Sequence, residues 1–170
     1  MRLRHRGEPE GTRYTMREKL LSIGDDFWIE TGDGDRAFKV NGKALRVRDT
    51  LVLESPSGDE LFTIQEKKLT VRDRMQIEHG GKTVATVKKA LVGFRDRYSI
   101  DVEGGSDLSA KGNIVDHEYE IERDGHKIAE VSKRWFRLRD TYGVEVHERT
   151  DVPLVLAVTV AVDAMSHDHG

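Results

Sequence analysis

The sequence lacks cysteine altogether, which excludes a disulfide scaffold, thiolate metal sites and cysteine nucleophiles. This absence is compatible with a reducing, intracellular setting. Proline is also scarce: the three prolines lie at positions 9, 56 and 153, so residues 57–152 contain none. Because proline interrupts strand pairing, this long stretch permits continuous β-sheet.

Long apolar runs are missing as well. The strongest run, Val152–Val162, has 11 residues, whereas a membrane-spanning helix needs roughly 20. The chain is therefore predicted not to span a membrane with this segment. No apolar run follows the positive charges of Met1–Arg13, so this segment is not predicted to be a secretory signal. From the length of 170 residues we expect one domain at 13–166, a disordered lead at 1–12 and a flexible tail at 167–170.

Charge of one sign does not dominate. Lys and Arg number 28 against 31 Asp and Glu, a net charge of −3, and only 6% of residues are aromatic. A face that tracks nucleic acid needs a continuous basic stripe with stacking aromatics, so nucleic-acid binding is not predicted.

Motifs for catalysis, cofactors and metals are also absent. There is no glycine-rich phosphate loop, dinucleotide fingerprint, nucleophile elbow or zinc spacing. His117 lies between Asp116 and Glu118 in a strand-like stretch, where neighbours face opposite ways and do not converge on a metal with it. The terminal His167-Asp168-His169 supplies too few ligands for a fixed site. We predict no catalytic residues, no cofactor and no metal, and hence no enzyme.

A repeat organises the middle of the chain. An apolar residue, Arg-Asp, any residue, then apolar residues at alternate positions recur in four copies, which begin at Val47, Val71, Phe94 and Leu138. Each Asp shares its parity with the surrounding apolar positions. Either the strand is continuous and the carboxylate points inward, or Arg-Asp-x is a three-residue loop. Fourfold repetition favours a structural role, as turn chemistry or as cross-strand ion pairs.

A second feature precedes three of these copies, namely a strand-like alternation that ends in two adjacent cations. The pairs are Lys67-Lys68, Lys88-Lys89 and Lys133-Arg134. Each unit is therefore interpreted as two short strands joined by a basic turn. Turn signals such as Asn41-Gly42 and Asp124-Gly125 separate further strands. Many short, evenly spaced strands indicate an antiparallel sandwich or barrel.

The closing run Val152–Val162 is ambiguous by local rules. Its valines favour a strand, whereas Thr150 or Asp151 as a cap and Pro153 in the first turn favour a helix. The run is apolar on every side, so periodicity does not distinguish the two. A helix that is hydrophobic all round must be enclosed by protein.

Several segments together resemble one family. Arg13–Leu20, Gly24–Ile29, Ala37–Lys43, Gly112–Ile121 and the closing apolar run are similar, in order and character, to the LURP-one-related proteins. The resemblance covers roughly residues 13 to 165 and rests on segments rather than on a catalytic signature.

This resemblance implies a fold similar to the Tubby C-terminal domain and the phospholipid scramblases. Such a fold is mainly β, a closed antiparallel barrel of about twelve strands that encloses a hydrophobic C-terminal helix, here at about 153–165. It selects the helix over the strand for the closing run. Tubby-type domains bind phosphoinositide headgroups and tether partners to membranes, which is the main analogy for function. No local motif of this chain aligns with Tubby's headgroup-binding residues.

The dibasic pairs are the best candidates for a binding site, because equivalent turns of a repeated barrel are expected at one rim. The predicted anionic-lipid or ligand-binding residues are Lys67, Lys68, Lys88, Lys89, Lys133 and Arg134. Clustered cations attract an anionic membrane with about 1 kcal/mol each, and Trp135 and Phe136 would add interfacial aromatics. Charged turns also serve simply to keep a barrel in solution.

The predicted function is a non-enzymatic, intracellular binding module that binds anionic phospholipid headgroups and lies in the cytoplasm, peripheral at the membrane. The alternative is a protein-interaction or structural scaffold whose charges bind no lipid.

Overall fold

A computed structural model describes residues 11–17, 26–42, 50–67, 74–90, 97–135, 141–147 and 150–167. These residues form twelve strands and one helix. The elements are β1 (Gly11–Arg17), β2 (Phe27–Thr31), β3 (Arg36–Asn41), β4 (Thr50–Glu54), β5 (Glu60–Lys67), β6 (Arg74–His79), β7 (Lys82–Ala90), β8 (Arg97–Val102), β9 (Leu108–Asn113), β10 (Glu118–Arg123), β11 (His126–Ser132), β12 (Thr141–His147) and α1 (Val152–His167).

The strands form one closed barrel in which sequence neighbours pair antiparallel and β1 closes the ring against β12. The alternation of buried and exposed side chains along the strands explains why the sheet closes into a barrel. In β4, Leu51 and Leu53 are buried while Val52 between them is partly exposed, and other strands repeat this period of two. A sheet with one apolar face removes both that face and its open edges from water by closing on a helix. The predicted fold class is confirmed.

The helix α1 fills the barrel. Residues from Val155 to Asp163 are at most 2% exposed, which an all-apolar helix requires. Asp151 caps the helix, because its Oδ1 accepts from the Leu154 amide at 3.3 Å. The closing run is thus a helix. It begins one residue before the expected 153 and ends two residues after 165. Strand β1 begins at Gly11, inside the expected lead.

The barrel has two ends that differ in what they carry. We call the end where α1 begins the helix-start rim and the end where α1 ends the helix-end rim. Strands β5, β7, β9 and β11 start at the helix-start rim and end at the helix-end rim, because successive strands are antiparallel. Two contacts fix the direction of α1. Leu154 lines the same cavity as Phe62 near the start of β5, and Asp163 accepts a hydrogen bond from Tyr142 near the start of β12.

The repeat marks strand starts. Strands β4, β6, β8 and β12 each begin at the residue directly after an Arg-Asp pair, at Thr50, Arg74, Arg97 and Thr141. The two-strand units are confirmed as β5–β6, β7–β8 and β11–β12. The four Arg-Asp pairs themselves, at 48–49, 72–73, 95–96 and 139–140, lie outside the described residues.

In the part of the chain that the structure describes, no helix has the length and hydropathy needed to cross a membrane.

Candidate functional site: a basic wall at the helix-end rim

The structure places the dibasic residues at strand ends rather than uniformly in turns. Lys67 is the last residue of β5, and Lys133 directly follows β11. Lys88 and Lys89 lie within β7, which continues to Ala90, so their assignment to a turn was wrong. Consecutive strand residues face opposite sides. Lys88 therefore lies on the outer face, and Lys89 has the parity of buried Val87. Lys68 lies outside the described residues.

All the described dibasic residues lie at the helix-end rim, but on two different walls. In the ring of twelve strands, β11 is six strands away from β5 in either direction. Lys133 and Arg134 are therefore across the barrel from Lys67. The described members of the expected single positive surface therefore form two separate groups.

The group on β11 is paired with an acidic side chain. Glu118 Oε1 accepts from the Lys133 amide at 3.0 Å, and Glu118 Oε2 lies 3.5 Å from Arg134 Nε. The Ser132 hydroxyl also donates to this carboxylate, at 2.8 and 3.0 Å from its two oxygens. Glu118 thus reduces the positive charge available here to an external anion.

The other group forms a row of like charges. In the sheet register Lys67 lies opposite Arg74, and Arg74 lies opposite Lys88. Like charges directly opposite on neighbouring strands repel and destabilise a sheet. An anion bound across the row would remove that repulsion.

A second pair of cations extends this row toward β9. Arg97 of β8 lies directly opposite Lys111 of β9, one strand beyond Lys88. Lys111 is paired with Glu122 at 2.9 Å, whereas Arg97 is exposed. We call the set on neighbouring strands β5 to β9 the basic wall. It comprises Lys67, Arg74, Lys88, Arg97 and Lys111.

Charge balance within the basic wall is incomplete. Lys88 Nζ lies 2.6 Å from Asp101 Oδ2, a part-buried ion pair. By contrast, the Nε of Arg74 is buried and has no hydrogen-bond partner among the described residues. A buried donor without an acceptor costs about 1–3 kcal/mol, more when charged. A phosphate or carboxylate oxygen from a ligand would satisfy it, and guanidinium groups bind such anions bidentately.

Arg74 and Arg97 were not among the residues proposed from the sequence. A signal for them exists, because both follow directly after an Arg-Asp pair of the repeat. The equivalent position is Thr50 in the first copy and Thr141 in the fourth. Only the second and third copies of the repeat therefore carry a further cation after the Arg-Asp pair. These two copies belong to adjacent two-strand units of the barrel.

The expected interfacial aromatic is already engaged. The Arg13 guanidinium lies 4.1 Å from the centre of the Trp135 ring, a cation–π contact. Arg13 also forms an ion pair with Glu145 at 2.9 Å. Trp135 therefore packs against β1 of its own barrel, and Phe136 lies outside the described residues.

A buried polar cluster lies inside the barrel near the same rim. His117 Nε2 is 2.5 Å from Asp163 Oδ1, and the Tyr142 hydroxyl donates to Asp163 Oδ2 at 3.3 Å. The ring of His117 stacks on Tyr142 with centroids 4.2 Å apart. His117 was expected in a strand. It instead ends the β9–β10 turn in a left-handed conformation with φ of 53°, and its side chain is buried.

Tyr119 adds an ionisable group to this cluster. Burial raises the pKa of Tyr119 well above its ordinary value, and the nearby Asp163 carboxylate and Tyr98 raise it further. The Thr159 hydroxyl opposes this shift weakly. Among the described residues no three His, Asp or Glu side chains are placed to hold a metal ion.

The comparisons with known proteins agree on family and fold. A profile of the LURP-one-related family matches residues 12–163. The chain is similar in structure to a protein from Arabidopsis thaliana solved by X-ray crystallography, with a TM-score of 0.70, 19% sequence identity and 92% of each chain covered. A search of curated proteins finds no match.

Proposed function

This chain belongs to the LURP-one-related family, and we propose that it is a non-enzymatic binding module whose basic wall binds the phosphate groups of anionic phospholipids. The carrying observation is the row Lys67, Arg74 and Lys88, three cations in direct cross-strand register. Asp101 balances only Lys88, so the repulsion between like charges on neighbouring strands favours a state in which an anion lies beside Arg74.

Arg74 supports a phosphate ligand in particular. Its Nε is buried and without an acceptor among the described residues, and the exposed cation Arg97 lies two strands further along the barrel. Tetrahedral oxyanions offer several acceptor oxygens to such a set of donors. The resemblance to Tubby-type domains supports a membrane lipid as the source of the phosphate.

Membrane attachment in this proposal is oriented and weak. Each cation near an anionic surface contributes about 1 kcal/mol, so a few residues give reversible attachment. The net charge of −3 means that other faces are repelled by the same surface. The barrel would therefore approach an anionic, cytoplasmic leaflet with the basic wall first, as a peripheral protein.

Vesicle co-sedimentation tests the proposal. Phosphatidylcholine vesicles are compared with and without phosphatidylserine or a phosphatidylinositol bisphosphate, at low and at physiological salt. We expect retention only on the acidic vesicles, with loss at higher salt because screening weakens the attraction. A soluble inositol polyphosphate distinguishes a headgroup site from diffuse attraction, since competition at low concentration indicates a defined phosphate site.

Matched charge variants locate the site. Arg74→Gln with Lys88→Gln removes two charges from the basic wall, and we expect at least about tenfold weaker partitioning. Lys82→Gln with Arg123→Gln removes two exposed charges at the helix-start rim and should leave partitioning unchanged. Equal loss in both variants, or no retention of the unmodified protein on acidic vesicles, contradicts the proposal and favours the protein-interaction scaffold.

A further inference from the structure

A cavity of about 430 Å³ opens at the opposite end of the barrel, the helix-start rim. Its apolar lining comes from three strands and the helix. These residues are Phe62, Val84, Val102 and Leu154. A smaller cavity of about 90 Å³ adjoins it and shares Val102, Asp151 and Leu154. Concave, mostly apolar spaces of this size are typical of small-molecule sites.

The polar lining of the larger cavity is acidic. Glu103 and Asp151 contribute carboxylates. His79 Nδ1 lies 2.7 Å from the Leu61 carbonyl oxygen, which only accepts, so Nδ1 donates to it and is satisfied within the chain. A ligand that matches these groups must bring donors and positive charge.

The N-terminus of α1 does not reverse the preference of the cavity for a positively charged ligand. A helix N-terminus ordinarily attracts anions through its unpaired amides. Here Asp151 already occupies that role. Its Oδ1 accepts from the Leu154 amide and its carbonyl accepts from the Val155 amide at 3.0 Å, while Pro153 has no amide proton to offer. The capping carboxylate thus replaces an anion with a negative charge of the protein's own.

The surrounding loops strengthen the negative potential. The described loops at this rim, 32–35, 55–59, 80–81, 103–107, 124–125 and 150–151, contain no Lys or Arg. They contain the carboxylates Asp33, Asp35, Asp59, Glu103, Asp107, Asp124 and Asp151. The described residues that line the larger cavity include no Lys or Arg, whereas Arg123 lines the smaller cavity and the exposed Lys82 lies opposite His79 in the sheet register. The potential at the larger cavity therefore favours a cation.

We propose that the larger cavity binds a small amphiphilic organic cation, an ammonium group on an apolar or aromatic body. The ammonium lies between Glu103 and Asp151, and the apolar body packs on Phe62, Val84, Val102 and Leu154. The volume fits a compound of roughly a dozen non-hydrogen atoms, within the size range of ordinary ligand sites. This site is independent of the basic wall, which lies at the other rim.

Three probes of matched shape test the charge preference by titration calorimetry. Tryptamine carries an ammonium, 3-ethylindole is neutral and indole-3-propionate carries a carboxylate. We expect tryptamine to bind best, 3-ethylindole weakly and indole-3-propionate not at all. Equal binding of all three, or preference for the carboxylate, overturns the proposal.

Variants and amide spectra locate the binding. Glu103→Gln should weaken tryptamine about three- to fivefold, the effect of one partly screened charge pair. Asp124→Asn removes a charge at the same rim but outside the cavity lining, so this matched control should weaken tryptamine much less than Glu103→Gln does. In ¹H–¹⁵N spectra the largest shifts should fall at Val84, Glu103 and Leu154. Equal effects of the two variants, or shifts centred elsewhere, overturn the assignment.

A peptide probe separates a free small molecule from a basic side chain of a partner protein. We expect N-acetyl-Trp-Lys-amide to bind more weakly than tryptamine, because its backbone exceeds the enclosed volume. Tighter binding of this peptide overturns the assignment to a small molecule.

Discussion

His117 Nε2 and Asp163 Oδ1 lie 2.5 Å apart although 46 residues separate them in sequence. Each side chain is only 1% exposed. The pair connects the β9–β10 turn to the last turns of α1. The helix is apolar on nearly every side, so the hydrophobic effect alone does not select one rotation of it inside the barrel. The only acidic or basic group among 152–166 is Asp163, and its two acceptor contacts select that rotation.

A double-mutant cycle tests this role. His117→Phe keeps a ring against Tyr142 but leaves the Asp163 carboxylate without its nearest partner, so we expect a loss of about 3–5 kcal/mol in unfolding free energy. Asp163→Leu alone should also destabilise, because it leaves a buried imidazole. The double variant should be less destabilised than the sum of the singles, because two apolar groups replace a buried pair. Urea unfolding measures all three, and strict additivity would contradict a direct coupling.

Tyr119 provides a test at alkaline pH. Its pKa is raised in the fold, chiefly by burial, so the neutral phenol is favoured there. The stability this contributes is complete below the unfolded pKa of about 10 and is lost as pH rises through the folded value, at up to about 1.4 kcal/mol per pH unit. In Tyr119→Phe this part of the alkaline loss should disappear. A slope identical to that of the unmodified protein above pH 10 would contradict the shift.

Tyr119→Phe should also cost little near neutral pH. The Tyr119 hydroxyl is buried without a hydrogen-bond partner of ordinary geometry among the described residues. Removing such a group is neutral or stabilising by about 1 kcal/mol. Tyr142→Phe is the comparison, since its hydroxyl donates to Asp163 and its loss should destabilise by about 1.5–3 kcal/mol.

Gly112 precedes the turn that carries His117, and a side chain there meets backbone. Its φ is +139°, and an added Cβ would lie 2.7 Å from the Glu118 carbonyl oxygen. We expect Gly112→Ala to destabilise by at least about 3 kcal/mol through strain and overlap. Gly104 has φ of +72° with open space around it, so Gly104→Ala should cost only about 1–2 kcal/mol. Thermal unfolding compares the stabilities of the two variants. Equal losses would show that the backbone at Gly112 moves to relieve the overlap of the added Cβ with the Glu118 carbonyl oxygen.

Ala161 tests the enclosure of α1. It is fully buried in the middle of the helix, so Ala161→Asp places an unpaired charge in the barrel and should abolish soluble expression. Val115→Asp is the control, because Val115 is 59% exposed. A folded Ala161→Asp variant would mean that the helix lies outside the core.

Local sequence rules were sufficient to predict the strands and the turns between them. Alternation at Leu51 and Leu53 reflects a sheet with one buried face, and that pattern is written in neighbouring residues. The closing run was different. Its valines fit strand or helix equally, and only the family resemblance selected the helix that the structure contains.

The sequence pointed to Lys67 and Lys88 but not to Arg74, because pairing between strands decides which cations become neighbours. Adjacent cations in sequence were taken to share one turn, but Lys88 and Lys89 lie on opposite faces of a strand. Arg74 was missed because its importance comes from its cross-strand neighbours Lys67 and Lys88, and pairing across strands is not a local property. The role of His117 was missed because its partner Asp163 is 46 residues away in sequence, on α1.

The sequence by itself determined the mainly β class, the period of the strand units, the absence of thiol chemistry and an apolar segment that must be enclosed. These follow from composition and from spacing along a few residues. Only the tertiary structure decided which cations become neighbours, that the β11 pair lies across the barrel from β5, and that Asp163 meets His117. Ring closure and register set those contacts, because they bring together residues that are distant in sequence and that no local periodicity relates.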